Sequence, residues 1–82
     1  MNNDLQDGPF VRFYENGQLW EKGSYIDGSL DGPFESYHDN GQLWEKGFYK
    51  NGSLDGTIEV YHKNGQLERK EIFIDGEFMR IL

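Results

Sequence analysis

Apolar residues recur along this chain at a fixed distance. Phe10, Phe34 and Ile58 stand 24 residues apart, as do Leu19, Leu43 and Leu67, and Tyr25, Tyr49 and Phe73. Between them no stretch shows a sustained helical period, and Gly or Pro interrupts almost every window of eight residues. These interruptions exclude a sustained helix, and aromatic-rich runs between turn signals predict strands. Each 24-residue interval reads as two strands. The first runs Phe10–Tyr14, Phe34–His38 and Ile58–His62; the second runs Gln18–Ile26, Gln42–Lys50 and Gln66–Ile74. Asn-Gly turns at Asn16, Asn40 and Asn64 join them, and the pair is read as a type I′ turn. A second turn follows at Asp27-Gly28, Asn51-Gly52 and Asp75-Gly76.

Four columns are expected on the packed side: Phe10/Phe34/Ile58, Phe13/Tyr37/Tyr61, Leu19/Leu43/Leu67 and Tyr25/Tyr49/Phe73. The two first-strand columns lie three residues apart, so either a bulge changes the phase or both faces carry aromatics. Glu21 and Glu45 share the parity of the Leu column, which places a phase change near Gly23 and Gly47.

The intervals are true copies. Asn40-Gly41-Gln42-Leu43-Trp44-Glu45-Lys46-Gly47 appears unchanged at Asn16–Gly23 and, altered, at Asn64–Glu71. Residues 8–31 and 32–55 agree at 16 of 24 positions. The third copy, 56–79, loses Pro, Trp and the closing Gly-Ser-Leu-Asp, as the terminal unit of a stacked array does. A polar segment, 1–7, precedes the array, which forms one repeat domain over 8–82 with 80–82 as its tail. The expected fold is all-β: an antiparallel meander of three stacked hairpins in an open, elongated, curved sheet. The pattern Gly-Pro-Phe-x-x-Tyr-x-x-Asn-Gly-Gln-Leu-x-x-x-Gly-x-Tyr-x-x-Gly-x-Leu-x-Gly resembles the MORN repeat in its bacterial second variant, found in proteins grouped as YwqK-like antitoxins. The resemblance covers residues 8–78. It implies stacked β-hairpins, a role in protein interaction or scaffolding, membrane association in some eukaryotic members, and no catalytic residues.

Charge narrows the partners. The formal net charge is −7 and there is no cysteine. Residues 1–39 hold two basic against eight acidic side chains, a net of −6, and residues 40–82 hold six against seven, a net of −1. Nucleic acid and anionic lipid select basic surfaces, so neither is an expected direct ligand; a basic protein partner is compatible. No apolar run approaches the ~20 residues of a membrane span. The polar start differs from a secretory leader, so the chain, if complete, is expected in the cytoplasm.

Trp20 and Trp44 fill one slot in successive copies, with Glu68 in the third. A slot open to Trp or Glu is not deep core, and paired surface indoles suit a protein-binding anchor. Glu21, Asp31, Glu35 and Asp39 are the candidate acidic rim around them. The bland alternatives are Trp packing on a neighbouring strand and acids serving turns. His38 and His62 share a slot roughly 10 Å apart, too far for one metal ion, and read as exposed strand residues. No nucleophile, phosphate loop or dinucleotide pattern is present, and a thin sheet leaves little room for a pocket of ~300 Å³. No cofactor, metal or enzymatic activity is expected. The tail Phe78–Leu82 is apolar and either caps the last hairpin or pairs with another chain's edge, a route to a homo-oligomer. The leading expectation is a protein-interaction module. The alternatives are a small acidic inhibitor, antitoxin-like or anti-defence, of a basic nuclease or toxin, and a structural or adhesion repeat.

Overall fold

Two turn types alternate along the chain and decide where each strand begins and ends. The computed structural model describes residues 6–82; residues 1–5 of the expected polar segment lie outside the described residues. At Asp27-Gly28, Asn51-Gly52 and Asp75-Gly76 both central residues take positive φ, 50–52° for the first and 84–87° for the second. These are the type I′ turns. The Asn-Gly turns correct the expectation. In them only the glycine takes positive φ, 90° at Gly17. Gly17 N–H donates to the Tyr14 carbonyl at 3.0 Å, and Tyr14 N–H to the Gln18 carbonyl at 2.9 Å. That is a type I turn closed by a left-handed glycine, the three-residue hairpin loop.

Nine strands result: β1 (Gly8–Phe13), β2 (Leu19–Ile26), β3 (Ser29–Leu30), β4 (Gly32–Tyr37), β5 (Leu43–Lys50), β6 (Ser53–Leu54), β7 (Gly56–Tyr61), β8 (Leu67–Ile74) and β9 (Glu77–Ile81). They form one antiparallel sheet in the order β1-β2-β4-β5-β7-β8-β9, with β3 on β2 and β6 on β5. The architecture is the expected open meander of three repeats. Breaks at Asp31 and Asp55 split β3 from β4 and β6 from β7, and the apolar tail adds β9, so nine strands replace the expected six. The tail pairs with β8.

The sheet is a single layer, with extents of 46 × 35 × 12 Å. One face carries the packed columns. Phe10 lies 4.8 Å from Tyr25 and Phe34 5.4 Å from Tyr49, ring centre to ring centre. Ile58 and Val60 are the buried apolar residues. Two columns depart from expectation: Phe13 is exposed, Tyr37 and Tyr61 bond to Glu35 and Glu59 on the opposite face, and Leu19, Leu43 and Leu67 pair with these three residues and so lie on that face too. Residues three apart in a regular strand cannot share a face. Gly23 and Gly47 let the packed columns cross the sheet. A Cβ at Gly23 would lie 3.0 Å from Phe34 Cδ1 and 3.2 Å from Phe10 Cε2, and one at Gly47 would lie 3.2 Å from Ile58 Cγ1.

Successive repeats are joined by a second set of bonds along the array. Asn16 and Asn40 each donate a side-chain N–H to a carbonyl in the next copy, Asp39 and Lys63, at 2.8 Å. The Gly28, Gly52 and Gly76 amides donate back to Gln6, Leu30 and Leu54 at 2.8 Å. Asp7, Asp31 and Asp55 accept from the backbone N–H of Asp27, Asn51 and Asp75 at 3.2–3.3 Å, holding the left-handed residue of each turn.

Two substitutions test this account by urea denaturation. Gly23→Ala forces a methyl against two aromatic rings and is expected to cost about 1–3 kcal/mol. Asn40→Ala loses both the Lys63 carbonyl and its bond from Gln42 N–H, whereas Asn64→Ala loses only the equivalent of the latter. The expected gap between these two variants is about 1 kcal/mol; equal losses would show that the inter-repeat bond contributes nothing.

Candidate interaction face

A bulge in each hairpin sets the tryptophans. Arg12 pairs with Glu21 but Phe13 with Leu19, and the same slip recurs between Ser36 and Tyr37 and between Val60 and Tyr61. Trp20, Trp44 and Glu68 are the residues left over. The phase change therefore lies at the Trp slot, three residues before the Gly23 and Gly47 expected from parity. A bulge bends its strand and re-aims one side chain. Here it turns each indole onto the residue that opens the adjoining turn. Trp20 lies 6.0 Å from Tyr14, and Trp44 stacks on His38 at 4.7 Å with 15° between planes.

Those two supports are fixed by the next repeat. The Tyr14 hydroxyl donates to the Tyr37 carbonyl. His38 Nε2 lies 2.9 Å from the Tyr61 carbonyl and so carries the proton that it donates. His38 is thus 9% exposed, correcting its reading as a surface histidine; His62 is exposed. Trp20 and Trp44 remain 40% and 42% exposed. In the third copy the slot is polar: Glu68 sits 3.6 Å from His62 Nδ1 and 2.6 Å from Arg69 Nη1. Tyr14 and His38 are absent from the sequence-derived site. Their signal is a column six residues before the Trp/Glu slot in every copy.

The expected acidic rim does not gather around the indoles. Glu21 points to the packed face, where Arg12 Nη1 donates to it at 2.9 Å while Nη2 reaches the Tyr25 hydroxyl at 3.2 Å. Asp31 caps the Asn51 turn. Glu35 accepts from the Tyr37 hydroxyl at 2.6 Å and lies 3.5 Å from Lys22 Nζ. Asp39 alone borders a tryptophan. It lines an open hollow of ≈ 290 Å³ with Tyr14, His38, Trp44 and Lys63, and pairs with Lys63 at 3.4 Å.

Lys22, Glu35, Lys46, Glu59 and Lys70 stand opposite one another in turn across five strands, an alternating row on the face opposite Glu21. Beside this row, and contrary to the expectation for so thin a sheet, lies an open hollow of ≈ 470 Å³ lined by Pro9, Val11, Ser24 and Pro33 among others. The row sets the titration of its acids. The Tyr37 hydroxyl, aided by the Lys22 and Lys46 charges, holds Glu35 below the usual carboxylate range, and Tyr61 does the same for Glu59. Burial, reinforced by the bond to Glu35, pushes the Tyr37 phenol up to about 12. Among the described residues no three His, Cys, Asp or Glu side chains converge as a metal site, and no helix is long and apolar enough to cross a membrane.

Comparison with known proteins supports the same repeat. The family model of the MORN repeat variant matches residues 6–27, 30–51 and 54–75. Each match begins at the carbonyl that receives the turn glycine's N–H and ends at the left-handed residue before that glycine. The chain belongs to the MORN repeat variant family. MORN repeats are a non-enzymatic module generally used for protein or membrane interaction. No curated protein sequence matches the chain at a significant level.

The Tyr–Glu pairs make a pH test. A carboxylate whose folded pKa is depressed adds stability above its unfolded pKa, near 4.3, and that stability is lost as pH falls through the folded value. A raised phenol adds stability below about 10, lost as pH rises towards about 12. Tyr37→Phe is therefore expected to flatten the stability profile at both ends and to remove the last phenolate step from a titration followed by tyrosinate absorbance. An unchanged titration would contradict the Tyr37–Glu35 bond.

Proposed function

We propose that the chain is a non-enzymatic protein-interaction module that engages a protein partner through the bulge-borne indoles of successive repeats. One observation carries this reading. Trp20 and Trp44 are held by Tyr14 and His38, yet each keeps two-fifths of its surface in solvent. Large aromatics already fixed in place lose little entropy on binding and serve as anchors. Asp39 is the acid placed to border that contact. Glu21, Asp31 and Glu35 act in the scaffold, so the acidic rim expected from the sequence reduces to one member.

A second reading is an acidic, antitoxin-like inhibitor that occupies the groove of a basic nucleic-acid-handling enzyme. The observation in its favour is the row of type I′ turns, which brings Asp7, Asp27, Asp31, Asp55 and Asp75 to one long edge of the sheet. Binding there would weaken strongly with salt, because it rests on charge.

The test is affinity capture with the tagged chain at low and high salt, followed by titration of the recovered partner against Trp20→Ala/Trp44→Ala. Retained strand signal by circular dichroism with a loss of at least ~2 kcal/mol in affinity supports the anchor reading. Unchanged affinity of the folded double variant removes it. A partner released by salt and indifferent to both tryptophans moves the assignment to the acidic edge.

A further inference from the structure

The strand β9 ends the sheet on one side and is unlike every other strand. All five of its residues are exposed, including Phe78 at 52% and Ile81 at 59%. A register slip at Met79 sorts its side chains by face. Phe78 stands opposite Phe73 and Ile81 opposite Glu71, both of the packed face; Glu77 stands opposite Ile74 and Arg80 opposite Ile72, both of the other face. So the apolar pair lines one side of the edge and an acid and a base line the other, three residues apart. Arg80 and Glu77 have no ion-pair partner among the described residues, as is also true of Lys46 and Lys50, whereas Arg12, Lys22, Lys63, Arg69 and Lys70 each have at least one.

We propose that β9 is a self-docking edge: two copies of this chain join β9 to β9 antiparallel about a two-fold axis normal to the sheet, with Glu77 of each copy facing Arg80 of the other. The symmetry follows from the charges. A two-fold axis presents the same patch to itself, so the patch must complement itself. An acid and a base on one face of one strand do so when the strand is reversed, and they form two reciprocal pairs. The same axis keeps faces together, so Phe78 and Ile81 of both copies meet on the packed side. An unpaired strand edge is a template for further pairing; β9 has a bulge at Met79 and one charge of each sign, but no edge proline and no run of like charge to repel a second copy of itself.

The opposite edge does not offer this. β1 carries Pro9 near its start, and its single charged residue, Arg12, is engaged by Glu21. Reversed on itself it offers Arg12 no acid and forms no ion pair. Placed head to tail against β9 it would leave Glu77 and Arg80 without complementary partners. The contact therefore closes as a dimer and does not propagate as a fibre. It is independent of the indole face, and the two readings fail separately.

Sedimentation equilibrium of the full chain across a concentration series tests the proposal. The expected result is a monomer–dimer equilibrium. Glu77→Lys and Arg80→Glu are each expected to weaken it by at least roughly tenfold, since each variant places two like-charged pairs across the axis. An equimolar mixture of the two variants is expected to regain wild-type association. In the mixed dimer the lysine introduced in one copy faces the glutamate introduced in the other, and the native Glu77 and Arg80 that remain still face each other. Circular dichroism checks that each variant keeps its strands, and Trp20→Ala/Trp44→Ala is expected to leave association unchanged. A chain monomeric at every concentration would overturn the proposal. So would association that Val11→Lys abolishes and Arg80→Glu does not, or a mixture no tighter than its components.

Discussion

A single-layer sheet has no opposing layer to bury its faces against, and that constraint governs this molecule. No side chain among the described residues is fully buried, and only Ile58 and Val60 form an apolar core in the strict sense. What would be done by a second layer is done by hydrogen bonds running along the array. Each turn but Asn64-Gly65 is completed by its predecessor or successor. An aspartate from the repeat before holds the left-handed residue of the turn, and an asparagine reaches the carbonyl of the repeat after. A hairpin of this sequence standing alone would leave these groups to water. Three together satisfy most of them, which is why stability in such arrays grows with neighbours and not with hairpin length.

The same economy links fold and site. The Trp slot is a bulge, and a bulge leaves the indole without a regular cross-strand neighbour. Its support comes from Tyr14 or His38, and those are fixed by a carbonyl in the following repeat. The third copy has no described partner for His62 in that role, and there Glu68 replaces the indole. Aromatic presentation and inter-repeat bonding thus change together, as they must if one depends on the other.

How much of this is legible in the sequence follows from the range of each cause. The strand pattern, the repeat boundaries and the Phe10–Tyr25 column depend on local turn residues and on a period visible by inspection. The positions of the turns are equally plain, but their types are not. Asn16-Gly17 and Asp27-Gly28 have similar chemistry, and the choice between them rests on whether two or three residues separate the paired strands. His38 reads as exposed because a strand residue beside a turn usually is. Its burial comes from Trp44 six residues on and Tyr61 twenty-three residues on, and nothing local reports the second. Asp31 misleads for the same reason: its partner is the backbone of Asn51, and an aspartate serving a distant amide looks, in one dimension, like a free surface acid.

The strand order has a mechanical consequence. β1 and β9 lie at opposite ends of the sheet, so tension between them acts across the strands and not along them. Hydrogen bonds loaded in that direction open one after another, as a zip does, where strands pulled lengthwise would shear together. The array should therefore lengthen under low force in steps of one hairpin, with each step also releasing the aspartate and asparagine bonds to its neighbour. A module of this kind behaves as a compliant spring between whatever is attached at its two ends, and it re-forms from any hairpin still intact.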